Sequence, residues 1–218
     1  MADPTDGEDP QLTRDKERAF AALTEVGQAI EREDGDEAAA AAGRLLSCFE
    51  ARAGVYDDEN GALAGFGTMV LDAALWLLGG RRTAEALTLC DVLVTRLVEG
   101  SEAERAVAAG ARFLAAQAAA RQGEAIRARS EVEALCEMGE PALAGLDRLT
   151  TRLVAADADP AWHAQLAAAS VTVLWRLGRG PEARAIAAEA AGAFERHGDA
   201  ELARRLLALE QELSRGEN

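Results

Sequence analysis

Apolar residues at helical spacing, interrupted by short turns, run through almost the whole chain, and this pattern constrains the fold more than any single motif. The apolar side chains recur every three or four positions between residues 10 and 215. Alanine accounts for 51 residues, whereas the β-branched and aromatic residues that strands favour are sparse. The sequence therefore predicts an all-α protein of about ten helices.

Turn residues between the helices predict how these helices are arranged. Gly35, Gly79 and Gly123 recur at an interval of 44 residues, a period typical of helix-pair solenoids rather than of bundles. Short turns place consecutive helices antiparallel. We therefore expect residues 10–215 to form one α-solenoid domain, and residues 1–9, which are acidic and polar, to be disordered.

Two helix starts carry recognisable caps. Ser101 with Glu104 forms the pattern of a capping box, in which each residue satisfies a backbone N–H of the other. Asp159-Pro160 supplies an N-cap followed by a proline, which the first helical position tolerates. We expect helices to begin at both places.

Two separate stretches have nearly the same residues before a turn. Residues 75–79 read LWLLG and residues 174–178 read LWRLG, and a Glu-Ala pair follows each in the next helix. Four turn glycines also precede an alanine by five residues, a small side chain that lets two helices approach closely: Gly35, Gly123, Gly178 and Gly198.

With these features the chain resembles the tetratricopeptide-repeat family, best over residues 160–215 and fairly over 60–136, in the divergent form of bacterial regulators and adaptors. It departs from the family in its interval of 44 rather than about 34 residues, and in two extra residues between Gly79 and Glu85-Ala86. The resemblance implies a right-handed α-solenoid of antiparallel helical hairpins. It also implies that the first helix of each pair lines a concave groove.

Counting back from the turn glycines then predicts which side chains face that groove. The residue four positions before the glycine would face the core, as for Leu75, Leu174 and Phe194, and the next residue would point into the groove about 100° away. The predicted binding residues are Phe66, Met69, Trp76, Phe113, Gln117, Arg121, Thr172, Trp175 and Arg176. The alternative is that both tryptophans belong to the core.

Charge and composition indicate the class of partner and the cellular location of the protein. The formal charge of −15 opposes nucleic-acid binding, which depends on Lys and Arg contacts to phosphates, and favours a basic partner. Three scattered cysteines and the lack of an export signal predict a cytoplasmic protein, and the near-absence of lysine suggests a bacterial source. The apolar stretch of residues 61–80 contains Asp72, so we expect a buried central helix rather than a membrane span.

No pattern indicates catalysis, a cofactor or a metal. His163 and His197 lack the spacing of metal ligands, and the acidic stretch at residues 56–60 fits a helix cap better than a magnesium motif.

We expect a non-enzymatic adaptor that binds a protein or peptide, with a basic or amphipathic helical partner favoured. The alternatives are a small-molecule-sensing regulatory protein and an α-helical enzyme or enzyme subunit. Opposite charges on different sets of turns leave homo-oligomerisation open.

Overall fold

The structure, a computed structural model, describes residues 10–53, 62–155 and 159–216, and within those ranges every regular element is a helix. This confirms the prediction of an all-α fold with ten helices. They are α1 (Pro10–Glu31), α2 (Gly35–Ala53), α3 (Ala62–Gly79), α4 (Thr83–Leu97), α5 (Glu102–Arg121), α6 (Ala125–Glu137), α7 (Glu140–Ala155), α8 (Pro160–Arg176), α9 (Gly180–Arg196) and α10 (Ala200–Gly216).

The chain divides into two compact units, Met1–Ala128 and Arg129–Asn218, here called the amino-terminal and carboxy-terminal units. Each is described by itself. The single domain expected over residues 10–215 stays a prediction. The expected disorder of residues 1–9 and the acidic cap at residues 56–60 lie outside the described residues.

Helix α3 is the centre of the amino-terminal unit. It packs against α1, α2, α4 and α5, and its buried side chains are distributed around the helix rather than along one stripe. Of the helices that the structure describes, none is both long enough and apolar enough to cross a bilayer. The expectation of a buried central helix is therefore confirmed.

In the carboxy-terminal unit, α8 contacts α7, α9 and α10. Its core includes Val171, Leu174 and Trp175 from α8, Phe194 from α9 and Leu206 from α10. Asp159 caps α8 as predicted, since its carboxylate accepts a hydrogen bond from the backbone N–H of Ala161 at 2.8 Å. The capping box at the start of α5 is also present, with Ser101 and Glu104 bonded reciprocally.

Five turns share one hydrogen-bond pattern. A residue with positive φ ends each helix at Glu33, Arg81, Gly123, Gly178 and Gly198. In each turn the next residue donates its N–H to a carbonyl five positions back, belonging to Ala29, Leu77, Ala119, Leu174 and Phe194, all of them buried. Its own carbonyl then accepts from the alanine four positions on.

The alanine in this pattern lies five residues after the positive-φ position. It is fully buried at Ala38, Ala86 and Ala183, nearly so at Ala203 and partly buried at Ala128. The buried alanine predicted after Gly178 and Gly198 is therefore present, whereas Ala40, five residues after Gly35, is exposed. The assignment of Gly35 and Gly79 as the turn glycines was wrong. Gly35 is the first residue of α2, and the left-handed conformation falls on Glu33 and Arg81 instead. As a result the first three turns are 48 and 42 residues apart, not 44.

This shift means that the two Leu-Trp stretches are not equivalent. Trp175 lies three residues before the positive-φ residue Gly178, whereas Trp76 lies five residues before its counterpart Arg81. The residue that matches Trp175 in α3 is Leu78, which is fully buried. The two extra residues after Gly79 move Trp76 by about 200° around its helix relative to Trp175.

Candidate functional site

The predicted binding residues of the amino-terminal unit differ widely in exposure. Phe66 and Phe113 are buried in its core, and Met69 and Gln117 are half-buried. Arg121 lies at the end of α5, where its Nη1 donates to the backbone carbonyl of Leu78 at 2.7 Å. The two phenylalanines therefore pack inward, because their helices have neighbours on that face.

Trp76 is 37% exposed and is the aromatic side chain in this set that reaches the surface. Its ring lies against α1 at Gly27, where a Cβ atom would come within 3.0 Å of Cζ3. One face of the indole thus packs on a glycine in a helix interior, and the remainder meets solvent.

The predicted residues of the carboxy-terminal unit do not form an aromatic wall. Trp175 is 7% exposed, lies in the core and has the Arg184 guanidinium 5.5 Å from its ring centroid. The expectation that it points outward was wrong, and the core alternative describes it. Thr172 donates its hydroxyl to the carbonyl of Ala168, and Arg176 is exposed. A binding role for the nine residues stays a prediction.

The carboxy-terminal unit has a cleft elsewhere, lined by other residues. Its volume is about 970 Å³, and its lining comes from α7, α8 and α9. Because α8 packs against both α7 and α9, it forms the floor, and the other two helices form the walls. The apolar lining comprises Leu143, Val154, Pro160, Ala167, Leu174, Ile186, Ala190, Ala193 and Phe194.

The cleft is elongated along the helices. On the α7 wall its lining extends from Leu143 to Val154, which at 1.5 Å per residue is roughly 16 Å. Val154, at one end of this wall, is 65% exposed, so apolar surface is open to solvent there. This length corresponds to about three helical turns.

Arg179 marks one end of the cleft and is held by two glutamates. Its Nε donates to Glu182 Oε1 and its Nη1 to Glu140 Oε1, both at 2.7 Å. These hydrogen bonds raise the pKa of Arg179, and the one from Arg179 lowers the pKa of Glu182 below its ordinary range. The guanidinium is therefore already engaged. The ion pair between Arg179 and Glu140 also joins one residue from each of the two oppositely charged sets of turns. A solenoid would place those two sets on opposite edges.

The other charged groups along the cleft are acidic. Asp147 lies on the α7 wall, Glu189 on the α9 wall and Asp159 at the start of α8. Within the part of the chain that the structure describes, the carboxylates of Asp147 and Glu189 have no hydrogen bond or ion pair. The cleft thus presents negative charge without a partner among the described residues on both walls, and its α8 floor carries Pro160, Ala167 and Leu174.

His163 and His197 also line this cleft, together with Ser170. No hydrogen bond between Ser170 and either histidine occurs among the described residues, and no group of three metal-ligating side chains is found in residues 10–53, 62–155 and 159–216. The cleft therefore combines apolar and polar side chains without a metal-ligating group among the described residues.

None of Thr172, Trp175 and Arg176 lines the cleft, so the sequence analysis did not point to this concave surface. The signal that could have found it is the break in the glycine period after Gly123, which marks α7 as an additional helix. A helix added beside a repeated pair brings in a wall that the repeat does not supply.

Comparisons with known proteins do not assign a function to this cleft. No protein-family model matches the chain, and no curated protein or solved structure matches it. The similarity to tetratricopeptide repeats therefore stays a prediction. What the structure does show is a ten-helix fold consistent with a helical repeat protein.

Proposed function

We propose that this chain is a binding protein whose cleft between α7, α8 and α9 holds a segment of another protein. The observation that carries the proposal is an elongated cleft along three helices, in which apolar side chains from all three alternate with acidic and other polar ones. Grooves of this kind bind an amphipathic helix by its apolar face, because that face loses contact with water when it is covered.

The proposed architecture is a right-handed solenoid of antiparallel hairpins similar to tetratricopeptide repeats. The five turns with the same hydrogen-bond pattern support it, because each joins consecutive helices through an alanine at the same position, which is buried in four of the five. In this proposal the protein is a cytoplasmic, non-enzymatic adaptor.

A second candidate is a small-molecule sensor. The cleft volume of about 970 Å³ lies at the upper end of the range for small-molecule sites, roughly 300–1,000 Å³. A ligand bound there would contact three helices at once and could thereby alter the surface offered to a partner.

Filling the cleft tests both candidates. Ala190 lines the α9 wall, whereas Ala188, two residues earlier on the same helix, is exposed and outside the cleft. Ala190→Trp places an indole in the cleft, and Ala188→Trp is the matched control. Both variants and the wild type are used for affinity capture from the native lysate, after circular dichroism has shown equal helicity.

A protein retained by wild type and Ala188→Trp but lost by Ala190→Trp is the expected result. Small molecules released by denaturing the same three preparations are identified by mass spectrometry. A compound present in all but Ala190→Trp, without a captured protein, would favour the sensor. Equal capture by all three would place the interaction outside the cleft and refute the proposal.

A further inference from the structure

From the charge and length of the cleft we propose that its occupant is a cationic amphipathic helix of about three turns, with its apolar stripe on the α8 floor and Lys or Arg residues on both flanks. This inference rests on the proposed function, because it names the chemistry of the segment held there. It follows from three properties of the cleft, each taken below in turn.

The first property is the sign of the available charge. Arg179 is the arginine of the lining, and both of its glutamate partners already bind it. Asp147 and Glu189 are exposed and without ion pairs within the described part of the chain, and they face the cleft from opposite walls. A cationic occupant would neutralise both carboxylates, whereas an anionic one would meet the same sign of charge on either side.

The second property is the position of the apolar surface. Leu174 and Phe194 are almost fully buried beneath the cleft, and Leu143 and Ile186 are partly buried along its sides. The most buried side chains of the lining are therefore apolar, and the carboxylates of Asp147 and Glu189 are among its exposed groups. An amphipathic helix has the complementary arrangement, with an apolar stripe flanked by charged residues.

The third property is length. An α7 wall of roughly 16 Å accommodates about three turns of helix, in which apolar residues at i, i+3, i+4 and i+7 contact the floor. A compact ligand would leave part of this wall exposed, including the solvent-accessible side chain of Val154.

Three designed peptides of about 14 residues test the inference. They share one apolar stripe and differ only in the flanking positions, which are Lys in the first, Gln in the second and Glu in the third. Each carries a fluorophore, and binding to the full chain is measured by fluorescence anisotropy. The protein variants are Asp147→Asn with Glu189→Gln, and a control pair, Glu133→Gln with Glu195→Gln, at exposed carboxylates outside the cleft.

We expect the Lys peptide to bind most tightly and to lose about 3- to 10-fold in affinity in the Asp147→Asn, Glu189→Gln protein, the effect of two exposed ion pairs. The control pair removes the same net charge and should leave affinity within about twofold of wild type. Higher salt should weaken binding of the Lys peptide, since the charged groups are exposed to solvent. Ala190→Trp should abolish it.

Equal binding of all three peptides, still lost in Ala190→Trp, would overturn the cationic occupant and leave the proposed function standing. Preferential binding of the Glu peptide would overturn it in the same way. If no peptide bound, or if binding persisted in Ala190→Trp, both the inference and the proposed function would be refuted.

Discussion

Gly180, the first residue of α9, is a position where one added methyl group should destabilise the carboxy-terminal unit through a steric clash. A Cβ atom there would lie 2.8 Å from Cζ3 and 2.9 Å from Cη2 of Trp175. Both distances are several tenths of an ångström shorter than ordinary van der Waals contact. The indole cannot easily yield, because it is buried among core residues and has the Arg184 guanidinium over its ring.

Gly180→Ala should therefore destabilise this unit. Overpacking of a core lowers the free energy of unfolding by about 1–3 kcal/mol. Replacing a helical glycine by alanine raises it by at most about 0.5–1 kcal/mol, and by less at the first helical position. The net loss expected is about 1–2 kcal/mol. For a unit of this size the corresponding decrease in Tm is about 5–15 °C.

The measurement is urea and thermal unfolding followed by circular dichroism at 222 nm. Gly192→Ala, in the same helix, is the matched control. A Cβ atom there meets only the mobile end of Arg196, at 3.4 Å, so this variant should gain about 0.5–1 kcal/mol. In a Trp175→Phe background the smaller ring should reduce the cost of Gly180→Ala. Equal stabilities of Gly180→Ala and Gly192→Ala would refute the reasoning.

Three further predictions concern other parts of the chain. Gly27→Ala should change stability by less than about 0.5 kcal/mol in urea unfolding, because Trp76 is exposed enough to move outward. Glu182→Gln should be less stable than wild type at neutral pH. The difference should disappear as pH falls through the lowered folded-state pKa of Glu182, which urea midpoints between pH 7 and pH 3 would show. Burial raises the pKa of the Cys136 thiol, so iodoacetamide should alkylate half-buried Cys48 first, as peptide mass spectrometry would reveal.

The helices could be predicted from the sequence because their signals are local. The capping box at Ser101 and the Asp159-Pro160 start depend on residues within one turn, and both are present in the structure. The turn register could not be predicted from glycine alone. Glu33 and Arg81 adopt positive φ although this costs a non-glycine residue about 1–2 kcal/mol, because the hydrogen bonds that end the helix require that conformation there.

A better rule was available in the alanine positions. Counting back five residues from Ala86 gives Arg81, and counting back five from Ala183 gives Gly178, the two positive-φ residues. Counting from Gly79 instead equated Trp76 with Trp175. The alanine is the more reliable marker because its burial is a packing requirement, whereas any residue can occupy the turn at a modest energetic cost.

The cleft lies beyond local sequence reasoning, since its walls come together only through tertiary packing. Arg179 and Glu140, which meet at one end of it, are 39 residues apart in sequence. Asp147 and Glu189 are further apart still, and nothing in either segment indicates that they share a cleft. Their sequence context is that of ordinary exposed helical residues.

The residues of the matched turns and the residues of the candidate site are therefore constrained by different interactions. Positions in the five matched turns are fixed by hydrogen bonding and, in four of them, by the burial of an alanine, so changes there should act on stability. Helix α7 follows a different turn, at Gly139, in which the N–H of Ala142 bonds to the carbonyl of Gly139 itself. Because α7 supplies one wall of the cleft, the proposed site lies beside a helix that does not begin with one of the five matched turns, and its exposed carboxylates are not constrained by that turn pattern.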